Sequence, residues 1–161
     1  MKYLVFLLAF MLPSLAINAQ VIKNYTVDMS ATGFKFEQEV PDGFFYTPVK
    51  VDFDTDPDIG IMMVPLGEIP AASVEAMRDQ YILGMSSDKE AMIEPKKEDM
   101  VFGEYRASIV LHSTIKNGKK VNALVAFVSG NNNGLMFVAV DDEKSAYMDK
   151  YRATLKTIRM K

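Results

Sequence analysis

The stretch RASIVLHSTIK-NG-KKVNALVAFVS, residues 106–129, decides the fold. It consists of two apolar runs joined by Asn117-Gly118, the pair preferred in a β-hairpin with a two-residue type I′ turn. Because such a turn fixes the register of the two strands, Leu111 is expected opposite Leu124. Both faces of the hairpin carry apolar side chains, so the sheet that contains it needs cover on both sides.

Other segments predict further strands of the same sheet. Residues 33–36 read as a short strand, which leads to the turn VPDGF at 40–44. At 49–54, apolar and charged residues alternate with the period of a half-buried strand, and IGIMMVPLG at 59–67 reads as the strand that returns. LMFVAV at 135–140 is apolar on both faces, which predicts an inner strand.

Two helices are predicted from apolar residues at helical spacing. Ser73 is expected to cap a mid-chain helix with a buried face made of Val74, Met77, Tyr81 and Met85. Asp141 or Asp142 is expected to cap a closing helix with an apolar face made of Met148, Tyr151, Leu155 and Ile158. The polar residues 86–99 read as a loop.

These elements predict an α+β fold: a three-layer α/β/α sandwich with a central, mostly antiparallel meander sheet and the long hairpin at 106–129. A chain of 161 residues is one domain's worth. Its net charge of −3 argues against a nucleic-acid binder, which needs a basic surface to neutralise phosphates. The chain has no cysteine, which excludes disulfides, cysteine nucleophiles and thiolate metal sites.

Residues 1–19 have the layout of a secretory signal peptide, with Lys2, an apolar run of ten residues and a small residue at Ala19. An apolar run of that length is too short to cross a bilayer, which takes about 20 residues. We therefore expect cleavage after Ala19, with cleavage after Ala16 as the alternative, and a single mature domain at 20–161. The product is expected in the periplasm or outside the cell, soluble and without a membrane span.

The order of elements, with Val40-Pro41-Asp42-Gly43 before the aromatic Phe44 and a closing LKTIR at 155–159, resembles the PsbP-like fold. That family includes photosystem accessory proteins and many bacterial envelope proteins of unknown role. The resemblance implies one PsbP-like domain over nearly all of the mature chain. It also implies a non-catalytic binding or assembly module, and it transfers no site residue, because the family shares no catalytic motif.

Four carboxylates spaced by two, Asp52, Asp54, Asp56 and Asp58, resemble the opening of a calcium-binding loop. The EF-hand pattern fails, because its sixth position would be Pro57 or Ile59 instead of glycine. Three interpretations stay open. The run is a solvated strand face with turn residues, or a loose, weak Ca²⁺ site, or a carboxylate pair of a hydrolase, with Asp52 and Asp54 on one strand face.

Lys116, Lys119 and Lys120 cluster at the tip of the hairpin. They are interpreted as a solvated turn or as an electrostatic docking point for an acidic partner. His112 is the only histidine, so a zinc site is not expected, and its position on an apolar strand predicts packing within the sheet.

No catalytic constellation and no cofactor motif emerges, so the chain is not expected to be an enzyme. The favoured hypothesis is an exported, non-enzymatic binding or assembly module of the bacterial cell envelope with a protein partner. The alternative is a carrier of a small ligand or lipid in a pocket between sheet and helix. Methionines and the aromatic residues Phe44, Phe45 and Tyr46 would line that pocket.

Overall fold

A computed structural model of the protein describes residues 25–56, 58–86, 93–116 and 118–161. The predicted signal peptide at 1–19 lies outside these residues. The helices and strands in chain order are β1 Tyr25–Thr26, α1 Met29–Thr32, β2 Phe34–Val40, β3 Gly43–Pro48, β4 Gly60–Glu68, α2 Ser73–Ser86, β5 Ile93–Phe102, β6 Tyr105–Lys116, β7 Lys119–Gly130, β8 Asn133–Asp142, α3 Met148–Leu155 and β9 Arg159–Met160.

The fold is α+β, and the described residues form seven strands in the main sheet and three helices. The strand order is β2-β3-β4-β8-β7-β6-β5, and each pair of neighbours described in it runs antiparallel. A second, two-stranded sheet joins the first and last described strands, because β1 pairs with β9 through Tyr25 and Met160. The sheet is predominantly a meander, as the sequence predicts.

The hairpin prediction is confirmed residue by residue. Leu111 lies opposite Leu124, and Lys116 pairs with Lys119 across the turn. Asn117 itself lies outside the described residues, whereas Gly118 has a φ of 76°, the left-handed conformation that a type I′ turn requires. The predicted inner strand at 135–140 is also confirmed, because β8 lies between β4 and β7.

Helix α2 covers one face of the sheet. It begins at Ser73 and buries its predicted apolar face against side chains of the long hairpin. The cluster on this side contains Val74, Tyr81, Met85, Val110, Val125 and Phe127, with Met77 packed at its margin. The helix therefore forms because its apolar stripe has an apolar sheet face to bury against, which supplies most of the stability of a helix of this length.

Helices α1 and α3 contribute to the cluster on the other face. Tyr151 and Leu155 of α3 are fully buried there, and the Tyr151 ring stacks on Phe34 with 5.4 Å between centroids. The predicted cap is wrong, because the N-cap residue is Tyr147, which forms no side-chain capping hydrogen bond, and α3 ends at Leu155, before the predicted Ile158. The helix begins at Met148, and the Asp141 carboxylate accepts a hydrogen bond of 2.7 Å from the backbone N–H of Tyr147.

The strand predicted at 49–54 is wrong. The strands on this side of the sheet are β2 and β3, and β3 ends at Pro48. In β3 the apolar residues Phe44, Phe45 and Tyr46 follow one another without alternation, because both faces of the strand are covered. The alternation at 49–54 belongs to a turn, in which the Asp52 carbonyl accepts hydrogen bonds from the N–H groups of Thr55 and Asp56.

The loop predicted at 86–99 is also wrong over its second half, which is strand β5. This strand lies at the edge of the sheet, where Pro95, a bulge between Ile93 and Lys96, and charged side chains are typical guards against edge-to-edge pairing. Because an edge strand of this kind contains proline and many charged residues, its composition resembles that of a loop.

None of the helices in the described part of the chain is long and apolar enough to span a membrane.

Candidate functional site

The tip of the long hairpin projects beyond the rest of the sheet. The last described pair between β5 and β6 is Ile93 with Ser113, and the last between β7 and β8 is Val121 with Asp142. Residues 114–116 and 119–120 therefore continue the hairpin past these pairs, by roughly 10 Å at about 3.4 Å per residue, and among the described residues no further strand pairs with them on the outside. We call this segment the finger.

The finger carries exposed positive charge. Lys119 and Lys120 are both exposed and form no ion pair within the described ranges, and the backbone of Lys116 pairs with Lys119. The side chain of Lys116 lies outside the described part. Ile115, opposite Lys120, keeps 47 % of its surface exposed, so the tip combines an aliphatic side chain with lysines.

The run from Asp52 to Asp58 lies at the same end of the sheet. Residues 49–59, which we call the acidic loop, connect the end of β3 to the start of β4. Gly60, the first residue of β4, pairs with Val140 of β8, and Val140 pairs with Ala123 of β7. Ala123 lies two residues from Val121, where the pairing of β7 with β8 ends and the finger begins. We call this end of the sheet the finger end.

Helix α2 also points towards the finger end. It runs along β6, because Glu75 near its start forms an ion pair with Arg106, and Tyr81 further along bonds to His112. Its last turn therefore lies near the base of the finger, and that turn carries Leu83, which is 71 % exposed.

Several exposed apolar side chains lie in the half of the domain nearer the finger end. Five large apolar side chains among the described residues are exposed, and four are in this half: Phe36, Val49, Leu83 and Ile115. The fifth, Val101, lies near the opposite end. These side chains do not form one patch, because Phe36 on β2 and Ile115 on β6 lie five strand spacings apart. An exposed apolar side chain bordered by charges, such as Ile115 opposite Lys120, is suited to a small contact surface.

The acidic loop does not gather its carboxylates. Asp52 folds back to accept a hydrogen bond of 3.1 Å from the N–H of Asp54, and Asp56 accepts one from the Thr55 hydroxyl. Within the described ranges no three His, Asp or Glu side chains are grouped as a metal site would require. The calcium site stays a prediction, which a higher Tm in millimolar Ca²⁺ than in EDTA would support.

The premise of the hydrolase interpretation is wrong. It places Asp52 and Asp54 on one face of a strand, whereas both lie in the turn that follows β3.

His112 is packed within the sheet, as predicted. It is 5 % exposed, and its Nε2 lies 2.9 Å from the hydroxyl of Tyr81 on α2. Burial lowers the pKa of His112 and raises the pKa of Tyr81. Ser113 lies on the opposite face and donates its hydroxyl to Asn122 at 2.6 Å, so it forms no nucleophile–base pair with His112.

The three aromatic residues proposed to line a pocket point to opposite sides of the sheet. Phe45 belongs to the cluster under α2, whereas Tyr46 and Phe44 belong to the cluster on the other face. A cavity of about 30 Å³ next to Gly67 and Asn133 has room for about one water molecule. Small-molecule pockets are roughly ten times larger.

The sequence analysis identified the lysines and the aspartates as candidate residues, but it did not predict that they lie at the same end of the sheet. Their common position at the finger end, and the exposed apolar residues beside them, follow from strand registers that join segments far apart in the chain. The sequence signal for the finger was the unequal length of the strands, since the hairpin at 106–129 is longer than any other predicted strand pair.

Solved structures with similar folds come from several bacteria. LpqN, a protein involved in cell envelope biogenesis of Mycobacterium tuberculosis, matches with a TM-score of 0.55 at 14 % identity, over 84 % of this chain and 82 % of LpqN. PsbP of the cyanobacterium Synechocystis matches with a TM-score of 0.50 at 11 % identity, over 93 % of this chain and 99 % of that protein.

A protein of Bacteroides thetaiotaomicron matches with a TM-score of 0.53 at 7 % identity, over 86 % of this chain and 48 % of that protein. No protein-family model matches the sequence, and a comparison with curated proteins finds no match.

Proposed function

We propose, from the premise that this chain has the PsbP-like fold, that it is an exported, non-enzymatic module that binds a protein partner in a bacterial cell envelope. The fold expected from the order of elements is confirmed by the likeness to LpqN and to cyanobacterial PsbP. The description of LpqN as involved in cell envelope biogenesis supports a role in the envelope. The layout of residues 1–19 supports export.

The observation that carries the proposal is the composition of the finger end. Apolar side chains that a folded domain normally buries are left exposed there, next to lysines that have no ion-pair partner in the described part of the chain. The acidic loop adds negative charge at the same end. A surface of this kind recognises a partner by a small apolar contact and is oriented by its charges.

We further propose that the elements form three layers, with α2 on one side of the sheet and α1 and α3 on the other. The separate apolar clusters of the two faces support this arrangement. Two covered faces leave the ends and edges of the sheet as the surfaces for recognition.

The carrier hypothesis receives less support from the geometry. A carrier needs an apolar cavity of several hundred Å³, whereas the cavity beside Gly67 holds about one water molecule. Both faces of the sheet are instead filled by side chains of the protein itself.

The test is site-specific photo-crosslinking in the cells that make the protein. A photoreactive residue replaces Lys120 in the finger or, as the matched control, Lys156, an exposed lysine just after α3. We expect a defined protein adduct from position 120 and none from position 156. The adducts are separated on a gel and identified by mass spectrometry.

Two results would contradict the proposal. One is a crosslinking experiment in which position 120 gives no protein adduct, or gives the same adducts as position 156. The other is a native mass spectrum of the purified protein with an additional few hundred daltons, since a bound small molecule would favour the carrier.

A further inference from the structure

The two edge strands of the main sheet are not equally protected against pairing. Strand β5 carries Pro95 and a bulge near its start. Strand β2, at the other edge, contains no proline, and its bulge lies after Phe36. Among the described strands, none pairs with β2 on its outer side. Because an open edge is a template for another strand, β2 is the edge at which a further strand can be added.

The backbone of Phe36 points out of this edge. The N–H of Val49 donates to the carbonyl of Gly33 at 3.0 Å, which continues the register of β2 and β3 and identifies a hydrogen-bonded pair. Hydrogen-bonded and non-hydrogen-bonded pairs alternate along an antiparallel ladder, so Lys35 bonds to β3 and Phe36 does not. The N–H and C=O of Phe36 are therefore directed away from β3, where no described strand pairs with them.

The side chains that flank Phe36 make this segment complementary to itself. Lys35 and Glu37 form an ion pair of 2.8 Å beside it. An antiparallel pairing of two β2 strands, with Phe36 opposite Phe36, places Lys35 of each copy opposite Glu37 of the other. The Lys35 amine and the Thr47 hydroxyl both donate to Oε1 of Glu37, so Oε2 is the oxygen that would accept from the second copy. Opposite charges in facing positions stabilise a strand pair.

Phe36 itself fits the same pairing. Its ring packs against Tyr46 with 5.8 Å between centroids, yet 56 % of its surface stays exposed. A twofold axis through the pair places the two Phe36 rings next to each other and removes part of this apolar surface from water. Aromatic pairs across neighbouring strands add to the stability of a sheet.

We propose that two copies of this chain associate through β2, about a twofold axis normal to the sheet at Phe36, so that their main sheets become continuous. Such a contact is isologous, as a closed dimer requires. The inference goes beyond the proposed function, because β2 lies five strand spacings from β6 and its use leaves the finger free. The bulge between Phe36 and Gln38 confines the new ladder to a few residues, so we expect a weak dimer whose population rises with concentration.

The lack of cysteine in the chain allows a direct test by disulfide crosslinking. A hydrogen-bonded pair at the axis places the two Cα atoms about 5.5 Å apart, which is within the range of disulfides. The matched control is Val101→Cys, because Val101 is 73 % exposed on the other edge strand. Under mild oxidation of the purified mature protein, we expect Phe36→Cys to form a covalent dimer at least about tenfold faster than Val101→Cys. Equal rates, or no covalent dimer from Phe36→Cys, would overturn the proposal.

Analytical ultracentrifugation measures the same association without a new thiol. Phe36→Asp places two carboxylates opposite each other at the axis, and like charges in facing positions are destabilising. We expect Phe36→Asp to weaken the dimer at least about tenfold and Val101→Asp to leave it unchanged. Circular dichroism checks that both variants are folded. A wild type that is monomeric at every attainable concentration, or equal dimerisation of the two folded variants, would refute the contact.

Charge exchange tests the register. Lys35→Glu puts two carboxylates, and Glu37→Lys two amines, into each facing position beside Phe36. We expect each variant alone to associate more weakly than the wild type and an equimolar mixture of the two to form heterodimers. A mixture without heterodimers would contradict this pairing.

Discussion

The two ends of the main sheet are built in opposite ways. At the end away from the finger, the turn between β7 and β8 is tied to the chain terminus, because Asn131 donates to the Met160 carbonyl at 3.1 Å and Asn133 to that of Lys161 at 2.9 Å. The Met160 N–H in turn donates to the Tyr105 hydroxyl at 3.2 Å. We call this the tied end.

At the finger end, Ile115 and Lys120 pair only with each other among the described strands, and apolar side chains stay exposed. The two ends have the same strands, so the difference is not imposed by the fold class. Under the proposed function, the tied end holds the fold together and the finger end binds the partner. Each prediction below tests this difference in packing and exposure between the two ends.

The largest effect is expected from Gly130→Ala at the tied end. A β-carbon at this position would overlap the ring of Tyr105, which is 4 % exposed and cannot move aside without disturbing the bond to Met160. We expect a loss of roughly 2–3 kcal/mol in the free energy of unfolding, measured by urea denaturation. A loss below about 0.5 kcal/mol would show that the tied end is not closely packed.

Acid should destabilise the protein through His112, which lies under α2 near the finger end. Burial lowers its pKa in the folded state below the ordinary value of 6.5, so the folded state disfavours the charged form. Its contribution to stability is therefore complete above pH 6.5 and is lost as the pH falls from there towards the folded-state pKa.

The slope from one proton is at most about 1.4 kcal/mol per pH unit. Urea denaturation of the wild type and of His112→Phe between about pH 7.5 and about pH 5.5 measures this slope. We expect the slope to flatten in the variant, and an equal slope in both proteins would assign the pH dependence to other groups.

A smaller effect is expected from Gly118→Ala, the counterpart of Gly130→Ala at the finger tip. No atom lies within 4 Å of a β-carbon at this position, so the cost comes only from the left-handed φ of 76°. That cost is about 1 kcal/mol. If urea denaturation shows Gly118→Ala to be as damaging as Gly130→Ala, the finger would be packed and the contrast between the ends would fail.

The smallest effect on stability is expected from Lys119→Glu with Lys120→Glu. Both side chains are exposed, so the free energy of unfolding of the monomer should change by less than about 0.5 kcal/mol, measured in about 1 M salt. Partner binding should be lost in the same variant at low salt. Loss of both stability and binding would mean that the finger supports the fold and is not a recognition surface.

Local signals predicted the long hairpin and α2 well. The Asn117-Gly118 pair specifies a turn and hence a register, and the stripe from Val74 to Met85 can only be a helix face. The same reasoning failed at 49–54, where apolar and polar residues alternate as in a strand although the segment is a turn. It also failed at β5, because the proline and charged residues that prevent pairing at a sheet edge resemble the residues of a loop.

The candidate site was harder to predict, because its parts come from distant segments. Lys119 and Asp54 are noticeable in the sequence, but their position at one end of the sheet depends on the pairings of β4, β8 and β7. The hydrogen bond between Tyr81 and His112 depends on how α2 lies across β6. Neither relation has a local signal.

The pairing of β1 with β9 has a consequence for how the protein is made. Tyr25 at the start of the domain meets Met160 at its end, so the small sheet cannot close until almost the whole chain has been synthesised. Until then, the emerging polypeptide lacks the contacts that complete its tied end. The small sheet therefore closes only after the residues of every other described strand have been made.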